Sequence, residues 1–258
     1  IEKKERLIKL LQEKRSALIT HAVTKGLDPT VPMKDSGVEW IGEMPAHWNV
    51  MALKYATATR KGAVKTGPFG SQLLSSEMIS GEIKVYNQRN VIDHDFRSGE
   101  NYVTKKKFHE LKEFSIFPDD VLITTRGTIS QCAIFPLDAE MGILHPCLIR
   151  VQPNPQSMIP KYLALVIQDS EIVKLQLLLM SNATTIDVIY SDSLKNVKLP
   201  LPPVHEQEAI IDYIQSINKK IGMLVTKTKE SITFFKEYRT ALISAAVTGK
   251  IDVREEVL

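Results

Sequence analysis

Cysteine is scarce: Cys132 and Cys147 are the two among 258 residues. Two thiols make no disulfide framework and lack the paired spacing of a zinc site, so a reducing, cytoplasmic setting fits. Charge of one sign is also lacking. The formal net charge is +3, which gives no global case for a nucleic-acid partner. No apolar run approaches a membrane span; Leu175–Met180 is far too short. No secretory leader is visible, and Ile1 already lies inside a charged amphipathic pattern, as in a piece of a longer protein. Several catalytic signatures are missing too. There is no Gly-x-x-x-x-Gly-Lys-Ser/Thr phosphate loop and no Gly-x-Gly-x-x-Gly after a strand, which excludes the usual ATP motor and dinucleotide site. No Asn/Asp-Pro-Pro-aromatic tetrad appears, so base methylation within this chain is not expected. The histidines are scattered, without the helical His-x-x-x-His pairing of a zinc protease. No catalytic residue, metal site or cofactor is assigned.

What is present is a repeat. Residues 15–28 and 239–252 agree at eight of fourteen positions, with Ser/Thr and Leu/Ile exchanges at three more. The same offset pairs Ile8 with Ile232, Leu11 with Phe235 and Glu13 with Glu237. Two copies this far apart are not a solenoid, whose period is tens of residues. They read as matched helical arms around one globular insert. In the second arm Ile210, Ile214, Ile217, Ile221, Leu224, Thr228, Ile232, Phe235, Arg239, Leu242 and Ala246 fall at alternating three- and four-residue steps. That is a coiled-coil seam, opened by Pro202-Pro203 and closed near Gly249. Ile8, Leu11, Arg15, Leu18 and Ala22 give the first arm the same steps. Helices over 1–26 and 204–248 are expected to run antiparallel, with Leu11, Leu18, Phe235 and Leu242 buried where helices meet. The plainer alternative is two surface helices on their own domain. The longer second arm leaves part of its seam, around Ile232, Phe235, Leu242 and Ile243, without an in-chain partner.

Between the arms the chain reads as α+β. A connector over 29–48 holds Pro29, Pro32, Gly37, Gly42 and Pro45 with Trp40 and Trp48. Strand-like runs follow at Val50–Ala56, Ile83–Asn87, Asp120–Thr125, Cys132–Phe135, Leu144–Val151 and Val197–Leu201, and a helix at Pro160–Leu179. Asp119-Asp120 and Glu110/Glu113 read better as a strand-opening turn and a solvated helix face than as an acid pair or metal site. His145 reads as a core histidine rather than a base. Positive charge gathers in the first arm, at Arg60, Lys61 and Lys65, and in Lys105–Lys107, although charge runs are commonly solvated faces.

Three polar segments suit contact with nucleic acid. Lys65-Thr-Gly67-Pro-Phe69-Gly70-Ser71-Gln72 has glycines that let backbone amides approach a phosphate, or is a tight turn plugged by Phe69. Asn87-Gln88-Arg89-Asn90 carries groups that pair with adenine and guanine, or is a polar strand end. Arg126 and Thr128 lie in a turn where the arginine meets phosphate or guanine, or stabilises the turn. Lys65, Arg89 and Arg126 are expected on one face.

The order of these segments resembles the DNA specificity subunit of type I restriction–modification enzymes. Ile41-Gly-Glu-Met-Pro-Ala-His-Trp48 looks like that family's opening signature, Gly67-Pro-Phe-Gly-Ser-Gln-Leu73 like its glycine loop, and Asp120-Val-Leu-Ile-Thr-Thr-Arg-Gly-Thr-Ile129 like its "GD-hydrophobic-T-R-x-G-T-I" stretch. Leu199-Pro-Leu-Pro-Pro-Val-His-Glu-Gln-Glu-Ala-Ile210 resembles its closing signature. Asp119 and Ser130 stand where the family has glycine. The resemblance implies a target recognition domain over 29–203, reading half of a bipartite site in double-stranded DNA. It implies conserved helical arms over 1–28 and 204–258 that act as spacer and dock a methyltransferase (M) subunit and, through it, a restriction (R) subunit. S-adenosylmethionine and ATP chemistry would belong to those partners. With one recognition domain, the chain would be half of such a subunit or a form that pairs with itself as a homodimer. The competing class is a helical scaffold that binds no nucleic acid; a nuclease fragment is disfavoured by the missing metal constellation.

Overall fold

The computed structural model describes residues 1–181 and 188–251. Its elements form two compact units. One comprises Ile1–Leu18 and the described residues from Tyr213 onward; the other is Ile19–Asp212. The first helix, α1 (Glu2–Lys25), and the last contribute to both.

The globular unit opens with a hairpin, β1 (Met33–Asp35) and β2 (Glu43–Pro45), inside what the sequence suggested was a connector. Then come β3 (Asn49–Ala52), β4 (Val64–Thr66), β5 (Ile83–Tyr86), α2 (Gln88–Ile92), β6 (Tyr102–Val103) and α3 (Lys105–Glu110). After these follow β7 (Val121–Thr124), β8 (Cys132–Ile134), β9 (Gly142–Leu144) and β10 (Leu148–Val151). Helices α4 (Pro160–Asp169), α5 (Glu171–Ser181) and α6 (Ser191–Asn196), strand β11 (Lys198–Leu201) and helix α7 (Val204–Val247) complete the elements of the described residues. The class is α+β, as expected.

Two sheets carry the core. One is antiparallel, in the order β4-β10-β7-β8; the other is β6-β5-β9, with β5 and β9 parallel. Every residue of β7 and β10 is buried, which is why Val121-Leu-Ile and Leu148-Ile149 read as continuous apolar runs rather than alternating ones. Leu122, Ala133 and Leu148 join one core with Tyr86, Phe96 and Phe135. Those three rings meet edge-on or tilted at 5.0–5.8 Å, the geometry that ring quadrupoles favour. Helix α4 packs on β7 and β8 and buries Tyr162, Leu163, Val166 and Ile167.

Three expected elements are interrupted. The run Leu144–Val151 is β9 and β10 separated by a turn at His145–Cys147, where Leu148 N donates to His145 O (3.0 Å). The helix Pro160–Leu179 breaks at Ser170, whose extended backbone (φ −101, ψ 151) separates α4 from α5 and whose Oγ donates to Val166 O (2.5 Å). The run Val50–Ala56 leaves the sheet after Ala52 for a 3₁₀ turn.

The two ends of the globular unit are zipped together. β3 pairs with β11 from Lys198↔Ala52 to Leu201↔Asn49. Just beyond, Trp48 Nε1 donates to Glu206 Oε2 (2.9 Å), and His47 lies 2.6 Å from Glu206 Oε1. Gln207 is fully buried. Its Oε1 accepts from Ile159 N (2.9 Å), and its Nε2 donates to Ser157 O (2.7 Å) and Pro202 O (2.9 Å). The opening and closing signatures are therefore one structural lock.

In the helical unit the side chains of α1 and α7 meet in opposite order. Arg15 donates to Asn218 (2.6 Å), while Lys4 lies over the Phe235 ring (5.7 Å) and Glu5 lies 4.0 Å from Lys236. The helices are antiparallel. The seam of α7 is buried at Ile214, Ile221, Thr228 and Ile232 and opens beyond. Leu11 and Leu18 are half-buried. Phe235 (42 % exposed) and Leu242 (41 %) are not buried, contrary to expectation: opposite Phe235 stands the long, charged Lys4 side chain rather than an apolar one. Leu224 is open too. Helix α7 ends in a glycine cap: Gly249 (φ 69) donates to Ala246 O and Lys250 N to Ala245 O, the paired bonds of a Schellman motif.

Gln207→Ala strands a buried amide and two carbonyls, and should cost about 2–4 kcal/mol. Urea unfolding should show this as a lowered midpoint at unchanged slope; an unshifted midpoint would mean Gln207 locks nothing.

Candidate nucleic-acid interface

Strand direction gathers the candidate turns. β10 is antiparallel to β4 and β7, so the ends of β4 and β7 lie beside its start. β5 and β9 are parallel and end together at Tyr86 and Leu144. The link His145–Cys147, between β9 and β10, is thus approached by the ends of three other strands. Gly67, after β4, donates its N–H to Leu148 O (2.9 Å). His145 N donates to Tyr86 O (2.9 Å), at the end of β5. Thr125, after β7, donates to Cys147 O through both its N–H and Oγ1 (3.0 Å each). Segments 67–72, 87–90 and 126–128 all leave from this place.

The link itself is semi-buried and neutral. His145 Nδ1 lies 2.8 Å from the Cys147 thiol and accepts from Cys147 N (3.2 Å). Burial lowers the His145 pKa, favouring the uncharged ring. Burial pushes the Cys147 thiol up, opposed by the Gln88 amide, its own amide and the nearby Arg126 charge. Gln88 and Arg126, from different turns, therefore flank one sulfur. The sequence suggested a core role for His145 and none for Cys147; no spacing motif marks the pair.

Gly67 is buried, and a Cβ there would overlap the His145 carbonyl. Its role is close packing beneath the loop, not an open amide toward a ligand. Phe69 does not plug the core: it is 63 % exposed, and Leu73 is buried instead. Gly70, Ser71 and Gln72 are exposed, with Gln72 Oε1 accepting from Phe69 N (3.1 Å). Asn87 is the N-cap of α2, its side chain accepting from Arg89 N (2.8 Å). Asn90 is buried, bonded to Asp95 O and Ser98 O. Those two amides are occupied by the fold, leaving half-buried Gln88 and exposed Arg89 as the open donors of that turn. Arg89 pairs with Asp93 (3.2 Å) and borders a cleft of about 430 Å³ that includes Asp93, Asp95 and Glu100. Such surroundings repel a phosphate and suit the amino groups of base edges. Arg126 and Thr128 are exposed. Thr124 Oγ1 donates to Thr128 O, and residue 126 bridges to Val188.

Lys65 departs from the common face. It points from β4 to Glu113 (2.5 Å) and the Phe114 ring (4.9 Å), in a separate cleft. In the lysine run Lys105 and Lys106 are exposed, as on a solvated helix face, whereas Lys107 is largely covered and pairs with Glu77 (2.9 Å) and Glu110 (3.6 Å). Asp119 is exposed, but Asp120 is buried, accepting from Gln152 (2.7 Å) with Arg150 at 3.9 Å. Burial raises the Asp120 carboxyl to about 6, against those partners. Among the described residues no three His, Cys, Asp or Glu side chains group as metal ligands, and no helix is long and apolar enough to cross a membrane.

Residues 75–233, more than half of the chain, match the type I restriction modification DNA specificity domain family. The chain belongs to that family. A protein of Haemophilus influenzae designated a type I restriction enzyme specificity subunit is 25% identical over 146 residues, covering 53% of this chain and 36% of that protein. The EcoBI specificity subunit of Escherichia coli is 22% identical over 142 residues, covering 53% of this chain and 27% of its own length. This chain thus aligns with about a third of such relatives. Among solved structures, a chain from a study of the assembly of the type I R-M system superposes with a TM-score of 0.61 at 19% identity, over 95% of this chain and 54% of that one. The HsdS subunit of Thermoanaerobacter tengcongensis gives 0.57 at 18%, over 97% and 55%. These likenesses establish a shared fold.

Within this specificity domain the two departures from the family's glycines acquire a physical meaning. Asp119 (φ 66) and Ser130 (φ 62) both have left-handed backbone, where glycine bears no Cβ penalty. Ser130→Gly should therefore raise stability by about 0.5–1 kcal/mol, the relieved strain being partly offset by a freer unfolded chain. Thermal melting reads this directly; a lower melting point would show that Ser130 is unstrained.

Proposed function

We propose that this chain is a sequence-specific DNA-recognition component of a type I restriction–modification complex. In this reading residues 29–203 are the target recognition domain, and 1–28 with 204–258 are the helical arms that set spacing and dock a methyltransferase subunit. The restriction subunit joins through that complex. One observation carries the reading: three polar turns, with Gln88, Arg89, Arg126 and Ser71 at their open positions, leave the ends of three strands beside one link. Adjacent groups on a rigid frame are what groove readout needs. Arg89 and Arg126 would pair with guanine and Gln88 with adenine, while Ser71 and the Gln72 amide nitrogen would donate to phosphate or a base edge. The role is recognition, with chemistry left to partner subunits.

If these arginines read guanine, Arg89→Ala or Arg126→Ala should each weaken binding to a duplex selected by the chain from a random pool by about 1–3 kcal/mol. Fluorescence anisotropy reads the loss. Unchanged selective binding in both folded variants would remove the assignment. Absence of any duplex binding by the wild type would favour the scaffold reading.

The arms support self-pairing. The first copy of the repeat buries Ile19, Ala22 and Val23, whereas its counterparts Ile243 and Val247 in the second copy are 57 % and 81 % exposed. With Phe234, Phe235, Tyr238 and Leu242 they make an open apolar stripe on α7, uncommon on a monomer. A second copy related by a two-fold axis would cover it and present two recognition domains, favouring a palindromic bipartite site. Light scattering at micromolar concentration should give a dimer that Phe235→Asp with Leu242→Asp converts to monomer. A wild-type monomer would end the self-pairing idea.

A further inference from the structure

We propose that the cleft around Arg60, Lys61 and Lys112 is a second nucleic-acid contact, one that grips the phosphodiester backbone of duplex DNA without reading its sequence. It rests on the DNA-recognition reading above and adds a surface that the three turns do not use. Two adjoining depressions, of about 440 and 510 Å³, share Arg60, Lys61, Gly62 and Lys65. One extends to Lys112, Glu113 and Arg150, the other to Lys54 and Lys195. Seven cations therefore line the pair against one carboxylate, in a chain whose net charge is only +3.

The floor is built. Arg150 is 3 % exposed; its guanidinium donates to Ser115 O and to Gly62 O (2.7 Å), and its Nε has no hydrogen bond. This buried guanidinium, with Asp120 3.9 Å away on its inner side, ties the 60–62 loop to β10. Arg60 is held over the Phe117 ring (4.8 Å) with its Nε on Gln152 (2.5 Å). Lys65, Lys195 and Lys54 already have Glu113, Asp192 and Asn196 as partners. Lys61 and Lys112 differ: both are exposed and neither has an ion pair among the described residues. Unpaired like charges on one rim repel each other, and a polyanion relieves this.

The ligand's form follows from the layout. The cations spread over two depressions rather than closing around one point, which suits a row of phosphates better than a single tetrahedral anion. Lysines dominate, and an ammonium is a point charge suited to phosphate rather than a fork that reads a base edge. One strand joins the two surfaces: Lys65, at the cleft, is two strand residues, about 7 Å, before Gly67 at the link.

The test is a Lys61→Ala/Lys112→Ala double variant of the full chain, with an unchanged melting point as the folding check. Anisotropy over a range of salt compares the selected duplex with a scrambled one. Both duplexes should lose affinity by the same factor, the selectivity ratio should stay as in the wild type, and the log–log salt slope should become shallower by about 2. An unchanged slope alongside retained wild-type selectivity would overturn the proposal and leave the recognition reading standing. Loss of selectivity alone would make the cleft part of base reading, which also overturns it. No duplex binding by the wild type would remove both. Calorimetry with inorganic phosphate alone should show no saturable binding. Saturation there, with duplex binding unaltered in the variant, would assign the cleft to a small anion instead.

Discussion

The backbone of the short link His145–Leu148 fixes where the three polar turns of the specificity domain can be. Its groups bond to Gly67, Tyr86 and Thr125, each at or just past the end of a different strand. None of the three segments that follow is regular enough to place itself: one is a loop, one a five-residue helix, one a bridged turn. The link substitutes for that missing rigidity by tying their roots to the buried strands β9 and β10. It is also where the two sheets exchange, so the packing of the core and the placement of the turns are one constraint. The tight approach of Gly67 to the His145 carbonyl is part of it, since any side chain there would push the loop away from the link.

A second lock joins the two ends of the globular unit. Chain entry at Trp48 is hydrogen-bonded to the exit at Glu206, Gln207 ties that exit to the Ser157–Ile159 turn, and β3 and β11 pair. A domain whose two ends are joined can be inserted between helices without straining either. This gives a physical reason for the two signatures: Trp48 and Gln207 are buried and saturated with partners, not held for a ligand. The helical unit follows different rules. Its seam is buried at Ile214, Ile221, Thr228 and Ile232, interrupted by exposed Leu224, and is exposed at Phe235, Leu242 and Ile243.

Much of the architecture was legible in the sequence because it rests on periodicity and punctuation. The heptad steps of α7, its start after Pro203 and its end near Gly249 are local signals, and so is the apolar run of β7. What escaped were breaks inside longer runs. Ser170 takes an extended backbone that separates α4 from α5 within a helical pattern, and the turn at 145–147 separates β9 from β10. Pro146 was the trace of the second break; the first has no Pro or Gly to mark it. The contact residues were partly legible. Arg89 and Arg126 are open as read, but Asn87 and Asn90 look identical to base-reading amides in sequence and are consumed by a helix cap and a loop. Lys65 stood beside the glycine loop in sequence, yet strand alternation turns it toward Glu113. Phe235 and Leu242 have the pattern of buried seam residues, but burial depends on what stands opposite them, which a pattern in one helix does not contain.

Amide hydrogen exchange of the full chain, with and without a saturating duplex selected from a random pool, tests most directly whether the link presents the three turns to DNA. The proposed interface predicts new protection at 69–72, at Gln88–Arg89 and at 126–128, with the buried strands β7 and β10 already slow in both states. Protection confined to α1 and α7, with all three turns exchanging as in the free protein, would contradict it.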